Sequence, residues 1–143
     1  MNATMEKFGY PGSLLHEYPN WVVLLRPDQI TLGSMVLANK SEANALSELD
    51  AEAFTELSEV IRDLERALRS TFSHDKINYL LLMMVDKHVH FHVLPRYAEV
   101  REFEGASFED SSWPGPPDLS KTIGLSEERR RALQELLRST WGA

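Results

Sequence analysis

The chain contains 143 residues, of which 43% are hydrophobic and 26% charged, and it has a formal net charge of −7 and no cysteine. This length and composition are those of one ordinary globular domain with its own hydrophobic core. The absence of cysteine excludes disulfides, thiolate metal sites and cysteine nucleophiles, and the negative charge argues against a general affinity for nucleic-acid polymers or anionic membranes.

The first twenty residues lack the apolar segment that a signal peptide needs, and no stretch of the sequence is apolar enough over a sufficient length to span a bilayer. We therefore expect a cytoplasmic protein. The first predicted elements are two short apolar runs, Trp21–Leu25 and residues 34–38, separated by a segment that contains Pro, Asp and Gly. Such a pattern is typical of a β-hairpin.

A long amphipathic helix is predicted over residues 50–72. Large apolar side chains recur there at 3-4-3-4 spacing, which places them on one stripe of a helix: Phe54, Leu57, Ile61, Leu64 and Leu68. Asp50 is the predicted N-cap, because its carboxylate can accept hydrogen bonds from the free amides of the first turn. The acidic opposite side of the helix is interpreted as solvent-exposed.

Two further strands are predicted after the long helix. Residues 77–85, "INYLLLMMV", are apolar in both alternating positions, which favours a central strand covered on both faces over the alternative of a helix. Residues 88–94, "HVHFHVL", alternate with period two and are predicted to form the antiparallel neighbour of that strand.

The C-terminal part of the chain is predicted to be irregular and then helical. Residues 111–120, "SSWPGPPDLS", are too rich in proline and glycine for regular structure. A last helix is predicted to begin after an N-cap at Ser126 and to end near Trp141. The chain as a whole, residues 1–143, is predicted to be a single α+β domain with an antiparallel sheet, the long helix packed on one face, and a C-terminal helix. Its core is expected at about residues 21–97, followed by the irregular segment and the helix in residues 98–143.

Three of the five histidines occupy alternate positions of one predicted strand. His88, His90 and His92 should therefore project from one face of the sheet, while the intervening apolar side chains pack on the other. A metal site, a nucleophilic site and a coincidence of a half-buried strand are the competing explanations. The outer two histidines lie about 13 Å apart along a strand, whereas two ligands of one zinc ion lie at most about 4 Å apart. The other potential ligands, His16, His74 and the carboxylates, have no diagnostic spacing, so a metal is the less favoured explanation.

Aligned histidines are suited to nucleophilic chemistry. Protonation of all three rings would place like charges about 7 Å apart on the strand, which lowers their pKa values and favours neutral rings at pH 7. A neutral imidazole has a free lone pair, as a nucleophile or a base requires. The two outer rings can then donate hydrogen bonds to an anionic group that is held over the middle ring.

The motif resembles that of a known family. "HVHFHVL" matches, at all seven positions, the pattern His-φ-His-φ-His-φ-φ (φ, apolar) of the histidine triad (HIT) nucleotide hydrolases and transferases. The following Pro95 and Arg96 are common in the branch related to the fragile-histidine-triad proteins. The resemblance extends more loosely over residues 21–97, and it implies a HIT-like fold, a small nucleotide substrate, a homodimer, and no requirement for a metal or another cofactor.

The resemblance also implies a mechanism. The middle histidine of the family attacks the α-phosphorus of a nucleotide ester, anhydride or phosphoramidate and forms a nucleotidyl-histidine intermediate, which water then resolves. His90 occupies this position here. A backbone carbonyl near His88 would hold its other ring nitrogen, and His92 and His88 would contact the phosphate oxygens or the leaving group.

Several positions depart from the family pattern. The Gly-Gln-Ser/Thr segment that often precedes the histidines is replaced here by "LLMMVDK", in which Asp86 and Lys87 are either leaving-group contacts or part of a plain turn. The usual Gly-His of the second hairpin strand is Gly-Ser, at residues 33–34. The acidic or amide residue that usually binds ribose is replaced by Arg26.

Two residues outside the histidine strand are further candidates for substrate binding. Asn78 corresponds loosely to a phosphate-contacting asparagine of the family, although a buried structural amide explains it equally well. Trp113 could stack on a base from the partner of a dimer, or it could anchor its segment to the core. Lys40, Lys87 and Arg96 are possible local cations in an otherwise acidic protein.

Two alternative functions remain at this stage. The departures from the family pattern make a nucleotide-binding regulatory module with little turnover a credible alternative to an enzyme. A metal-dependent hydrolase is the less favoured one.

Overall fold

The computed structural model describes residues 1–141 and shows an antiparallel five-stranded sheet between two apolar layers. The strands are β1 (Leu14–Glu17), β2 (Trp21–Leu25), β3 (Met35–Asn39), β4 (Lys76–Leu80) and β5 (His90–Arg96), in the spatial order β1-β2-β3-β5-β4. The helices are α1 (Ala3–Lys7), α2 (Ala51–Phe72) and α3 (Glu127–Thr140), with a short 3-10 helix at Leu46–Glu48. A second, two-stranded sheet consists of β6 (Arg101–Phe103) and β7 (Ala106–Phe108). The α+β prediction is therefore confirmed.

The predicted hairpin forms the middle of the sheet. Strand β2 pairs with β3 from Trp21 opposite Asn39 to Leu25 opposite Met35. All ten residues are buried because each face of the hairpin is covered by a different layer. On one face, alternate side chains join the main core beneath α2 and α3, and on the other face they pack against Met5 and Phe8 of the N-terminal segment.

The long helix lies where the sequence predicts it, but its buried face is rotated relative to the predicted stripe. The fully packed positions are Ala53, Val60, Leu64, Ala67, Leu68 and Phe72. Phe54 is 45% exposed, and Leu57 and Ile61 are only partly buried. Two of these buried positions are alanines, which a pattern of large apolar residues does not detect. Asp50 occupies the N-cap position, but its side chain makes no capping hydrogen bond.

The prediction of a central strand over residues 77–85 is wrong. Strand β4 ends at Leu80 and lies at the edge of the sheet, where it pairs only with β5. The apolar residues that follow are irregular, and the side chains of Met84 and Val85 are 80% and 83% exposed. These apolar residues form a loop beside the histidines and do not belong to a face of the sheet. The predicted antiparallel pairing with the histidine strand is confirmed, with Leu80 opposite His92.

The last third of the chain contains more regular structure than the sequence indicates. The β6–β7 hairpin lies in a region that we predicted to be irregular. Helix α3 begins as predicted, because the Ser126 side chain accepts a hydrogen bond from the amide of Arg129. Leu133 and Leu137 are buried against the core. Within residues 1–141, no helix has both the length and the apolar character that crossing a membrane requires.

Candidate functional site

The middle histidine of the row is buried, and its ring is held by a backbone carbonyl just before its strand. His90 begins β5, is 1% exposed, and lies opposite Ala38 of β3. Its Nδ1 lies 2.7 Å from the carbonyl oxygen of His88. Because a carbonyl oxygen can only accept, Nδ1 carries the proton. In the neutral ring, Nε2 is then the nitrogen with the free lone pair.

His92 lies beside His90 on the same face of β5. The two ring centroids are 5.0 Å apart, and the Phe8 ring lies 5.8 Å from each of them. Burial lowers the pKa of His92 to about 4, with smaller contributions from the neighbouring charges of His90 and Arg26. His92 is therefore neutral at pH 7. Its buried Nδ1 has no hydrogen-bond partner among the described residues.

His88 does not share the cleft with the other two histidines. Strand β5 begins only at His90, so the strict alternation on which we based the common face does not extend back to His88. Its Nδ1 lies 3.2 Å from the backbone oxygen of Glu42, and its Nε2 lies 3.4 Å from the carboxylate of the same residue. The part of His88 that contacts the site in this structure is its backbone carbonyl, which binds His90.

An open cleft of about 270 Å³ lies in front of His90 and His92. Its wall is built from five separate parts of the chain: Lys7, Phe8, Arg26, residues 82–86, His90, His92 and Leu119. The ammonium group of Lys7 lies 2.9 Å from the Asp86 carboxylate, an ion pair that joins α1 to the loop before β5. The apolar loop found in place of a central strand thus forms one side of the cleft.

Arg26 is the residue of this cleft whose importance the sequence does not reveal. It directly follows β2 and lines the cleft with the two histidines. Its Nε and Nη1 atoms are buried and have no hydrogen-bond partner among residues 1–141. Burial lowers the pKa of the guanidinium, and the charge of Asp28 opposes this only in part. In the sequence Arg26 is noticeable only as a departure from the family pattern.

Asn78 and Trp113 lie outside the histidine cleft. The side-chain oxygen of Asn78 accepts a hydrogen bond from Arg96 Nη1 at 2.7 Å. The same guanidinium binds Asp110, with Nε and Oδ2 2.7 Å apart, and donates to the carbonyl of Gly115 at 2.9 Å. Asn78 is therefore engaged in a structural network, and Trp113 is a half-buried residue of the segment that this network holds.

The other predicted local cations do not supply charge to the cleft either. Arg96 is neutralised by Asp110, and Lys40 pairs with Glu17 at 2.8 Å. Lys87 is exposed and does not line the cleft. The contributors that sequence reasoning missed are Lys7, the last residue of α1, and Phe8, its C-cap, because this helix has only five residues and gives no periodic signal.

Among the residues that the structure describes, neither a supporting histidine nor a metal-ligand cluster lies next to this site. Ser34 replaces the second-strand histidine of the family pattern, and its buried hydroxyl is used by its own turn, where it donates to Thr31 O at 2.7 Å. Within residues 1–141, no three histidine, aspartate or glutamate side chains are grouped closely enough to hold a metal ion.

Comparison with known proteins agrees with this geometry. The sequence matches the family model of the HIT domain over residues 10–99. No curated protein sequence gives a significant match. A histidine triad protein from Sinorhizobium meliloti has a similar structure, with a TM-score of 0.76 at 18% identity, over 98% of this chain and 95% of that one. Similar structures are also found in Bradyrhizobium japonicum (0.75, 18%, 99% and 96%) and Marinobacter aquaeolei (0.74, 21%, 95% and 93%). At these identities the likeness is one of fold.

Proposed function

Because this chain belongs to the HIT domain family, we propose that it is a nucleotide hydrolase or transferase that acts at the α-phosphate of a nucleotide ester, anhydride or phosphoramidate through His90. The observation that carries this proposal is the 2.7 Å hydrogen bond from His90 Nδ1 to the carbonyl of His88. In the neutral form of the ring, this bond leaves the lone pair on Nε2, and the ring lines an open cleft.

The proposed reaction has two displacements at phosphorus. In the first, a bond forms between His90 Nε2 and the α-phosphorus, and the bond from phosphorus to the leaving group breaks. The leaving group takes a proton from solvent. In the second, water attacks phosphorus, the bond to Nε2 breaks, and the proton of the water is released. In a transfer reaction, another nucleophile takes the place of the water.

The neighbours of His90 have separate parts in this proposal. A neutral His92 has one N–H group to donate to a phosphoryl oxygen. His88 holds the tautomer of His90 through its carbonyl, and we keep its ring as a proposed contact to the leaving group. Asn78 and Trp113 would need a ligand or a partner subunit to bring them to the substrate, and we further propose a homodimeric, cytoplasmic protein.

The first test is to trap the covalent intermediate. We expect that acid-sensitive label from an α-³²P nucleotide substrate will remain on the wild-type protein after rapid denaturation, and that His90→Ala will abolish both label and turnover. His16→Ala is the matched control, because His16 is exposed and remote from the cleft. Diadenosine polyphosphates and AMP phosphoramidates are the substrates to compare. Label that persists in His90→Ala would contradict the proposal.

A second candidate, a nucleotide-binding module with little turnover, is favoured by one feature of the cleft. Residues 82–85 are all apolar and offer no side-chain donors where a leaving group would need one. If the wild type and His90→Ala bind AMP equally well and neither releases product, this candidate replaces the enzyme. Retention of full activity after exhaustive chelation would remove the metal-dependent alternative.

A further inference from the structure

Arg26 carries a positive charge that the protein itself does not neutralise. Nε and Nη1 of its guanidinium are buried without an acceptor, and Arg26 forms no ion pair within residues 1–141. The other cation of the cleft, Lys7, is already paired with Asp86. Burying guanidinium nitrogens without an acceptor is unfavourable, and natural proteins normally provide a carboxylate in such a position. The chain instead leaves these donors unpaired at the wall of a cleft.

The sheet register separates Arg26 from the reacting position. His90 is in the row of Val22 and Ala38, and His92 is in the next row on the same face, with Leu24 and Val36. The amide of Arg26 donates to Ser34 O at 3.0 Å, which places Arg26 one row further. Its α-carbon is therefore about 13 Å along the strands and about 10 Å across them from that of His90. His92 lies between the two.

Because of this separation, Arg26 is not the contact for the phosphate that His90 attacks. A guanidinium binds phosphate through paired N–H donors, and the binding is strongest where water is excluded. The α-carbon of Arg26 lies two rows and two strands from that of His90. We therefore expect one phosphate over His90 to leave Arg26 unpaired, whereas a ligand with a second phosphate would engage both residues.

We propose that Arg26 forms a second anion subsite, and that the cleft prefers a nucleotide with a further phosphate in addition to the one that His90 attacks. This inference rests on the proposed function for the identity of the first group. The second phosphate is carried either on the sugar or on the phosphate chain. A second phosphate on the sugar goes beyond the proposed function, because a further phosphate in the chain is part of the leaving group of an anhydride.

The experiment measures binding and does not depend on turnover. The affinities of AMP, adenosine 3′,5′-bisphosphate and the non-cleavable ADP analogue adenosine 5′-methylenediphosphonate are compared by calorimetry. We expect at least one of the two ligands that carry a second phosphorus group to bind about tenfold or more tightly than AMP to the wild type. In Arg26→Gln this ratio should fall to within about twofold, and in Arg26→Lys it should be intermediate, because charge remains without the paired donors. Arg131→Gln, which alters a 74% exposed arginine, should retain the wild-type ratio.

A stability readout separates a binding role from a structural one. If Arg26 is an anion subsite, Arg26→Gln should unfold at the same temperature as the wild type or a higher one, because it removes a partly buried charge that has no ion-pair partner within residues 1–141. The bisphosphate should raise the melting temperature of the wild type more than that of the variant. A lower melting temperature for Arg26→Gln without ligand, together with an unchanged ratio of affinities, would overturn the inference.

The failures of the two proposals are distinguishable. Turnover that depends on His90, with a ratio of affinities that does not depend on Arg26, overturns the subsite and leaves the proposed function standing. A ratio of affinities that depends on Arg26, in a protein without turnover, overturns the proposed function and leaves the subsite standing. A wild type that binds neither of the ligands with a second phosphorus group more tightly than AMP, or that binds none of the three, also overturns the subsite.

Discussion

At the scale of single residues, the three histidines of the row have identical side chains but lie in chemically different environments. His90 is fixed by a backbone carbonyl, His92 is buried without a partner for Nδ1, and His88 lies against Glu42. The sequence pattern identifies His90 and His92 as cleft residues because alternation within a strand determines the face. It fails for His88 because the strand has not yet begun there, and strand ends depend on pairing partners far along the chain.

Arg26, Lys7 and Phe8 show the limit of sequence reasoning about the site. They are separated from the histidines by more than sixty residues of chain, and no local periodicity connects them. They reach the cleft because β2 lies two strands from β5 and because α1 packs over the same face of the sheet. A single sequence specifies a motif through its spacing, whereas a cleft results from the packing of remote segments.

The low pKa of His92 has a consequence for stability against acid. The folded protein takes up a proton at His92 only near pH 4, whereas the unfolded chain does so near the ordinary value of 6.5. The unfolded state therefore binds more protons between these values, and the free energy of unfolding decreases as the pH falls through this window. The expected contribution is on the order of 1–3 kcal/mol.

Urea unfolding near pH 7 and near pH 4.5 measures this contribution. His92→Asn should lose less stability between the two conditions than the wild type does, because asparagine does not titrate. His16→Asn, which alters an exposed histidine, should follow the wild type. An identical loss in the wild type and in His92→Asn would contradict the assignment.

At the scale of elements, length and periodicity decide what the sequence predicts. The hairpin β2–β3, helices α2 and α3, and the pairing of β5 with β4 follow from patterns at least five residues long. Helix α1 and strands β1, β6 and β7 have three to five residues each and were missed. The edge position of β4 was also missed, because the order of strands is set by tertiary pairing and its apolar continuation serves a loop.

Helix α2 provides a direct test of the rotated face. The predicted stripe gives Phe54 and Leu64 equal weight, but Leu64 is fully buried and Phe54 is 45% exposed. Leu64→Ala should therefore lower the free energy of unfolding by about 2–5 kcal/mol, whereas Phe54→Ala should cost below about 1 kcal/mol. Denaturant unfolding of both variants measures the difference. Similar costs would show that the predicted stripe, and not the rotated one, packs on the sheet.

At the scale of the whole molecule, one buried network holds the irregular C-terminal segment against the sheet. Arg96 at the end of β5 is 4% exposed in its side chain, and Asp110 beyond the β6–β7 hairpin is 3% exposed. Two hydrogen bonds join them, at 2.7 and 3.1 Å, and Arg96 also reaches Asn78 and Gly115. Residues 98–126 have little regular structure of their own. This contact therefore fixes their position on the sheet, as pairing or packing does for a strand or a helix.

Removing one partner of this pair leaves a charge buried without compensation. We expect Asp110→Ala to lower the free energy of unfolding by about 3–5 kcal/mol, much of which is the cost of the unpaired Arg96. The double variant Arg96→Met/Asp110→Ala should be more stable than the sum of the two single changes indicates, because it removes both charges together. Limited proteolysis should find residues 111–120 more accessible in Asp110→Ala than in the wild type.

The matched control is the exposed pair between Arg130 and Glu127 on α3, 2.6 Å apart and with the glutamate side chain 63% exposed. Glu127→Ala removes an ion pair of the same chemistry from a position in water, and it should change the free energy of unfolding little. The contrast between the two pairs isolates burial as the cause. If Asp110→Ala costs no more than Glu127→Ala, or if the double variant is simply additive, the C-terminal segment is held by its apolar contacts and Arg96 is not its anchor.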